Sequence, residues 1–258
     1  MIPPRLEAKL RATCRKAVYY GFRHKCPFCG SSLRAFLPFG FEFTVLKEMK
    51  VAGGGYRPNA LCPVCSSLDR ERLVYLFLLH KTDIFERPGR LLHVAPEARL
   101  AEIFRTTENL DYLTADISAK TAMVEMDITN IQFPDASFDV IICNHVLEHI
   151  IDDGKAMSEL HRTLKPGGMA ILQVPVSQAL KDTYEDFEIT DKAEREEVFG
   201  QGDHVRIYSS AGYQHKLARA GFKVNAFNWI AEPGSFGGKR NLFGLSEQEP
   251  VFLVRKYG

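Results

Sequence analysis

Six cysteines occur in the 258-residue chain, and four of them form two knuckles, Cys26-Pro-Phe-Cys29 and Cys62-Pro-Val-Cys65. Each tight C-x-x-C turn presents two sulfurs to one ion, and zinc takes four thiolates in a tetrahedron, so the pair predicts a four-cysteine zinc site. Four thiolates close the shell and leave no position for water or substrate, so the metal is structural. A disulfide framework is one alternative, but the chain carries no secretory signature. A thioredoxin-type redox pair is another, but it would need only one C-x-x-C. Cys14 and Cys143 have no partner in sequence and are read as packing residues. A second constellation, His145-Val-Leu-Glu-His149, matches the inverted zinc-peptidase pattern H-x-x-E-H, whose histidines would share one helix face. So short a pattern recurs by chance, and no later acid with a supporting motif completes a hydrolase, so peptidase chemistry is set aside.

The elements that must position these groups can be read from hydrophobic period and punctuation. Residues 1–21 form a basic helical arm and residues 22–68 the zinc ribbon, with a hairpin or small sheet between the knuckles in "FGFEFTVL" and "AGGGY". "SSLDRERLVYLFLLHKT" is a helix with Ser67 as its cap. From residue 88 strands and helices alternate. "RLLHVA", "LDYLTADI", "AMVEMDI", "FDVIICNH", "MAILQVPV", "FKVNAFNWI" and "PVFLVRKY" are strands; "EARLAEIFRT", "VLEHIIDDGKAMSELHRTL" and "GYQHKLARAG" are helices, and "KPGG" is a turn. Near-continuous apolar strands joined by helices specify an α/β domain, residues 69–258, with a parallel sheet covered on both faces. Ligands of such sheets bind at the carboxyl ends of the strands.

The residues at those ends form an ordered set. The first strand runs into His93-Val-Ala95-Pro-Glu97. Asp116 closes the second strand about twenty residues later, an offset that suits hydrogen bonds to ribose hydroxyls. Asp127, flanked by Met126 and Ile128, is set to meet an adenine edge, and the fourth strand ends at Asn144-His145.

With these residues in view, the chain from about residue 88 onward resembles a class I S-adenosylmethionine-dependent methyltransferase of the type 11 group. The likeness is strongest over "DITNIQFPDASFDVIICNHVLEHIIDDGKAMSELHRTLKPGGMAILQVP", and the ribbon resembles an N-terminal zinc extension found on some such enzymes. The resemblance implies a Rossmann-like seven-stranded sheet with its last strand antiparallel. It also implies S-adenosylmethionine as methyl donor and S-adenosylhomocysteine as product. His93, Ala95, Glu97, Asp116, Asp127, Ile128, Asn144 and His145 are the implied cofactor-binding residues. The departure is the first loop. Where the family reads D-x-G-x-G-x-G, His93 stands for the acid, Ala95 for the first glycine and Glu97 for the second. An alanine adds only a methyl group, Pro96 suits the first helical turn, and Glu97 in that turn could meet the donor's ammonium.

Methyl transfer from a sulfonium needs a base only if the acceptor must lose a proton; His145, His149 and His204 are the candidates. The long segment 178–210 reads as an acceptor-side lid, with Tyr184, His204, Arg206 and Tyr208 as acceptor-binding residues. Arg206 would hold a carboxylate or phosphate, or else a salt bridge within the lid. "EPGSFGGKRNLFG" is expected to form another wall. Residues 1–34 carry eight Lys/Arg against Glu7, while residues 185–197 carry seven acids against Lys192 and Arg195. The basic arm and ribbon would suit RNA, or simply a solvated helix. The acidic lid favours a small molecule or glycan unit. A non-catalytic zinc-ribbon interaction protein on a degenerate domain is the third reading. Nothing indicates DNA or a membrane, and the expected location is cytoplasmic.

Overall fold

The computed structural model describes residues 13–118 and 120–258. Its centre is a seven-stranded sheet built from β1 (Gly89–Val94), β2 (Leu110–Asp116), β3 (Val124–Glu125), β4 (Phe138–Asn144), β5 (Leu164–Gln173), β6 (Lys223–Phe227) and β7 (Val251–Arg255). Their spatial order is β6-β7-β5-β4-β1-β2-β3. β7 is antiparallel to both β5 and β6, and the remaining pairs are parallel. The order reverses between β1 and β4, so the carboxyl ends of these two strands flank the crevice where such sheets take ligands.

Side-chain alternation sends each strand into two cores. Leu92, Val94, Ile141, Cys143, Ala170, Leu172, Phe252 and Val254 pack in one, with Met157 and Leu160 of the helix Asp153–Thr163 and Tyr213 and Leu217 of the helix Ser210–Arg219. Leu91, Val140, Ile142, Ile171 and Leu253 pack in the other, with Phe77 of the helix Asp69–Lys81 and Leu100 and Phe104 of the helix Ala98–Arg105. No helix among the described residues is long and apolar enough to cross a membrane.

Several elements depart from the expectations. Residues 13–18 are helical and a strand begins at Tyr20; residues 1–12 of the expected basic arm lie outside the described residues. Cys14 is exposed and so is not a packing residue, whereas Cys143 is buried in the core. Ser67 does not cap the following helix. Its N-cap is Leu68, whose backbone N–H donates to the Glu71 carboxylate, while Ser67 is buried against the cysteines. β3 is only two residues long, and "KPGG" is a bulge inside β5 between Leu164 and Met169, not a turn between elements.

The segment between the knuckles is the largest departure. Leu37–Phe39 and Arg57–Leu61 pair as the expected hairpin. "FEFTVL" is not sheet: Thr44–Glu48 is a helix, and Val51–Ala52 pairs antiparallel with Val176–Ser177 beyond β5. Val176–Ser177 in turn pairs with Arg206–Ser209, which pairs with Tyr184–Glu185. The ribbon therefore supplies one strand of the lid sheet. Helix Lys192–Phe199 completes the lid, and its C-terminal Gly200 (φ 80°) lies so close to Leu46 that a Cβ would meet that side chain at 2.3 Å. "EPGSFGGKRNLFG" forms no wall of the cavity described below. It backs the ribbon: Leu242 accepts from Lys25 N–H, and Phe243 and Gly244 carbonyls accept from the guanidinium of Arg72.

Candidate functional site

The four cysteine sulfurs converge. Cys26 Sγ lies 3.6 Å from Cys65 Sγ, and Cys29 Sγ lies 3.9 Å from Cys62 Sγ. A zinc ion with bonds of about 2.3 Å sets tetrahedral sulfur–sulfur edges of about 3.8 Å, whereas a disulfide needs about 2.05 Å. The donor set therefore fits zinc. Ser67 Oγ stands 3.4 Å from Cys26 Sγ and 3.3 Å from Cys65 Sγ, and Ser31 Oγ stands 3.3 Å from Cys29 Sγ. Such hydroxyls orient thiolate ligands. Arg72 is fully buried beside the cluster, with its guanidinium 3.9 Å from the Phe36 ring centre. It faces the charge of Cys26, Cys62 and Cys65 and serves as their counterion.

The carboxyl edge of the sheet aligns most of the expected cofactor residues. Ala95 N–H donates to the Ala115 carbonyl at 2.8 Å, and Met126 N–H donates to the Asp116 carbonyl at 2.8 Å. Across the switch point, Asn144 Nδ2 donates to Glu97 Oε1 at 2.9 Å. Asp116 uses Oδ1 to accept from Ser118 N–H. Asp127 is exposed and closes its own turn, with Oδ1 accepting from Thr129 N–H and Oγ1, while Ile128 is buried.

The altered first loop now has a physical explanation. His93 is completely buried, packed edge-on to Phe104, with Nδ1 2.9 Å from the Tyr112 hydroxyl and Nε2 2.6 Å from Glu97 Oε2. It acts as a positioning residue behind Glu97, not as a direct ligand-binding group as expected. Burial works to raise the Glu97 carboxyl, but the His93 and Asn144 hydrogen bonds hold it below the usual range. Pro96 is not in the first helical turn, because the helix starts at Ala98 with Glu97 as N-cap. Ala95 costs more than a methyl group: its φ is 47°, the left-handed region that favours the family's glycine. Ala95→Gly should relieve about 1–2 kcal/mol of strain and forfeit about 0.4–1 kcal/mol to a freer unfolded chain. The expected net gain is about 0.5–1 kcal/mol, read as a higher urea midpoint with unchanged slope.

His145, His149 and His204 all line one cavity of about 250 Å³. "VLEHIIDDG" is not the expected continuous helix: His145 is left-handed (φ 55°), a 3-10 turn covers Leu147–His149, and the α-helix starts only at Asp153. The two histidines of H-x-x-E-H therefore do not share a helix face, which removes the basis of the peptidase pattern. Instead Glu148 is buried at the centre, with Oε1 3.4 Å from His145 Nδ1. The His149 and His204 rings meet edge to face at 4.7 Å. Burial lowers His204 to about 4 and also lowers His145. Burial works to raise Glu148, but the hydrogen bond with His145 holds it near 2. At about 4, the buried His204 imidazole is neutral near pH 7 and only a weak base.

Three acceptor-binding expectations fail on geometry. Arg206 lines the cavity but is 1% exposed. Its Nε donates to Glu185, and its terminal nitrogens donate to the carbonyls of Leu147, Ile150 and Ile151, so its donors hold the turn together and are not free for a ligand. Tyr208 is buried and donates to Asp153 Oδ2 at 2.6 Å. Tyr184 is 43% exposed on the outer lid strand against Phe199 and is absent from the cavity lining.

Sequence reasoning missed several residues of this site. Phe39, Phe41 and Leu46 from the ribbon line the cavity, as do Arg57 and Arg70. Arg70 also lines a second cavity that it shares with Glu97. Glu249, just before β7, is buried with both carboxylate oxygens unpartnered, 3.8 Å from His145 Nε2. Burial and the charge of Asp69 push it up to about 7. No motif marks these positions; glycine-rich "AGGGY" was the one local hint, since Gly53 packs against both Glu249 and His145.

Residues 87–172 match the methyltransferase domain family. A probable S-adenosylmethionine-dependent methyltransferase of Mycolicibacterium smegmatis is 32% identical over 82 residues, 30% of this chain and 32% of that protein. An uncharacterized 37.1 kDa protein of a Streptomyces fradiae transposon is 28% identical over 134 residues, 48% of this chain and 36% of that protein. The chain thus spans about a third of the length of these relatives. Among solved structures, the [4+2]-cyclase SpnF superposes with a TM-score of 0.50 at 13% identity, covering 75% of this chain and 85% of that one, a likeness of fold.

Proposed function

We propose that this methyltransferase-domain chain moves the methyl group of S-adenosylmethionine to a small acceptor held under a zinc-braced lid. The observation that carries the reading is the alignment of Ala95, Asp116, Met126 and Asn144 along the carboxyl edge of β1, β2 and β4, within the stretch that matches the family. The donor supplies an electrophilic methyl on a sulfonium. This chain's task is to orient that methyl and to keep water out. We assign Asp116 to the ribose hydroxyls, and Met126, Asp127 and Ile128 to the adenine. Glu97, braced by His93 and Asn144, takes the ammonium, and Arg70, whose Nε is buried without a partner, takes the carboxylate. The cavity beyond, with Phe39, Phe41 and Phe199 as walls and histidines as floor, suits a small molecule or single glycan unit. In the ribbon, the four cysteines hold structural zinc.

Calorimetric titration of the zinc-loaded protein with S-adenosylmethionine and S-adenosylhomocysteine tests this reading. Micromolar binding is expected, weakened about 10–100-fold by Asp116→Ala, the effect of losing charge-assisted hydrogen bonds. No binding of either ligand at millimolar concentration would leave the interaction-protein reading. A second acceptor reading, RNA, draws on the strand Tyr20–Lys25, where Phe22 is 84% exposed beside Arg23. Aromatic and basic groups together suit single strands. RNA affinity would fall steeply with salt, whereas small-acceptor affinity would not.

A further inference from the structure

The floor of the cavity holds more than a proton acceptor needs. Glu148 and His149 come from the 3-10 turn after β4, and His204 comes from the lid more than fifty residues later. One potential ligand atom from each lies within 4.8 Å of the other two. Three atoms bonded at about 2.0–2.2 Å to one ion lie roughly 3–4 Å from one another. Side-chain shifts of up to about 1 Å would close the set.

Two independent observations point to a ligand at this place. Glu148 is 1% exposed, and its Oε2 is buried without any partner. A bare carboxylate oxygen in such surroundings is costly unless something cationic meets it. His149 has Nδ1 3.1 Å from the carbonyl oxygen of Asp203. With Nδ1 donating its proton there, Nε2 is left as the unprotonated nitrogen. A carbonyl behind one ring nitrogen and a metal on the other is the usual support for a ligating histidine.

We infer that Glu148, His149 and His204 form a second metal site, distinct from the cysteine cluster, for a divalent first-row transition ion. Two imidazoles and one carboxylate suit manganese, iron, cobalt or zinc, and suit magnesium or calcium poorly, since those ions prefer an all-oxygen shell. Three protein ligands leave coordination positions open, unlike the closed cysteine site. Those positions face the cavity, where a hydroxyl or carboxylate oxygen of a small molecule would complete the shell. Metal binding stands by itself; the acceptor role of that oxygen rests on the methyl-transfer reading.

The test starts from the full chain with its ribbon already zinc-loaded. Mn2+ is titrated in while the loss of the free-ion electron paramagnetic resonance signal is followed. Co2+ is added to a parallel sample and its absorption recorded. One further equivalent of Mn2+ should bind, and the bound Co2+ should show ligand-field bands without the intense sulfur-to-cobalt bands of a thiolate site. His149→Asn, on the most exposed of the three ligands, and His204→Asn should each weaken Mn2+ at least tenfold while zinc content and melting temperature hold. Glu148→Gln should abolish binding; if that variant does not fold, the two histidine variants carry the test. No uptake at millimolar Mn2+ or Co2+, or uptake unchanged in the histidine variants, would overturn the site. Donor titration on the same samples separates the two readings: donor binding without Mn2+ uptake fails the metal site alone, and Mn2+ uptake without donor binding fails methyl transfer alone.

Discussion

Replacing Cys62 with serine should abolish the zinc binding proposed for the ribbon and take the cavity wall with it. Cys62 is buried, and its sulfur is one of four that converge in the ribbon. Structural zinc contributes about 10–16 kcal/mol in isolated knuckles, comparable with the ~5–15 kcal/mol of a whole domain. The segment between the knuckles depends on that clamp at both ends. It carries Phe39, Phe41 and Leu46 to the cavity and pairs Ala52 with Val176 in the lid sheet. The expected result is one equivalent of zinc lost by metal analysis. Melting should fall by about 10 °C or more, the shift that a loss of ~4 kcal/mol produces at roughly 2–4 °C per kcal/mol. Limited proteolysis should cut within residues 39–57 while the central sheet, with its own two cores, persists. Cys14→Ser, at an exposed thiol, should change none of these. Zinc loss with an unmoved melt and no new cleavage would show that the wall stands without the metal.

Arg206→Met should destabilise the protein by about 3–5 kcal/mol, the cost of removing one partner from a buried charged network. The guanidinium gathers the carbonyls of Leu147, Ile150 and Ile151 and the Glu185 carboxylate, and Lys216 reaches that same carboxylate and Asp153. Methionine fills the volume but takes the guanidinium from the carbonyls of Ile150 and Ile151, while that of Leu147 keeps the Ile150 N–H. Arg206→Lys should recover little, because a lysine's donors radiate from one nitrogen and cannot span the fan of carbonyls. Urea unfolding is the measurement. The competing expectation, a guanidinium that holds an acceptor anion, predicts the reverse pattern: near-normal stability with a raised KM for acceptor. Since the turn presents Glu148 and His149 to the cavity, a destabilised Arg206→Met protein should also bind Mn2+ more weakly.

The α/β domain was largely legible in the residues. Strands such as Leu91–Val94 and Val140–Cys143 are apolar on both sides because both faces are covered, and that pattern shows without coordinates. The ordered positions at the strand ends were legible for the same reason: once a parallel sheet is recognised, its carboxyl edge is known. Glu97 was found at that edge, but the role of His93 was misread, because nothing in "HVAPE" tells whether a histidine faces the ligand or the core. Strand parity decides it. His93 points with Leu91 toward Phe104 and Tyr112, away from the face shared by Leu92 and Val94.

The cysteine spacing and the apolar alternation determined by themselves that a four-thiolate cluster precedes a doubly covered parallel sheet. Both are local signals, set by a tight turn and by backbone period. Only the tertiary structure decided that residues 39–57 leave the ribbon to roof the cavity and that Arg206 is a clamp. The physical reason is hydrogen-bond and charge satisfaction across long stretches of chain. Ala52 pairs with Val176, and the carbonyls of residues 147–151 find a donor in Arg206. A buried polar group must find its partner wherever the fold brings one near, and the identity of that partner is not written beside it in the sequence.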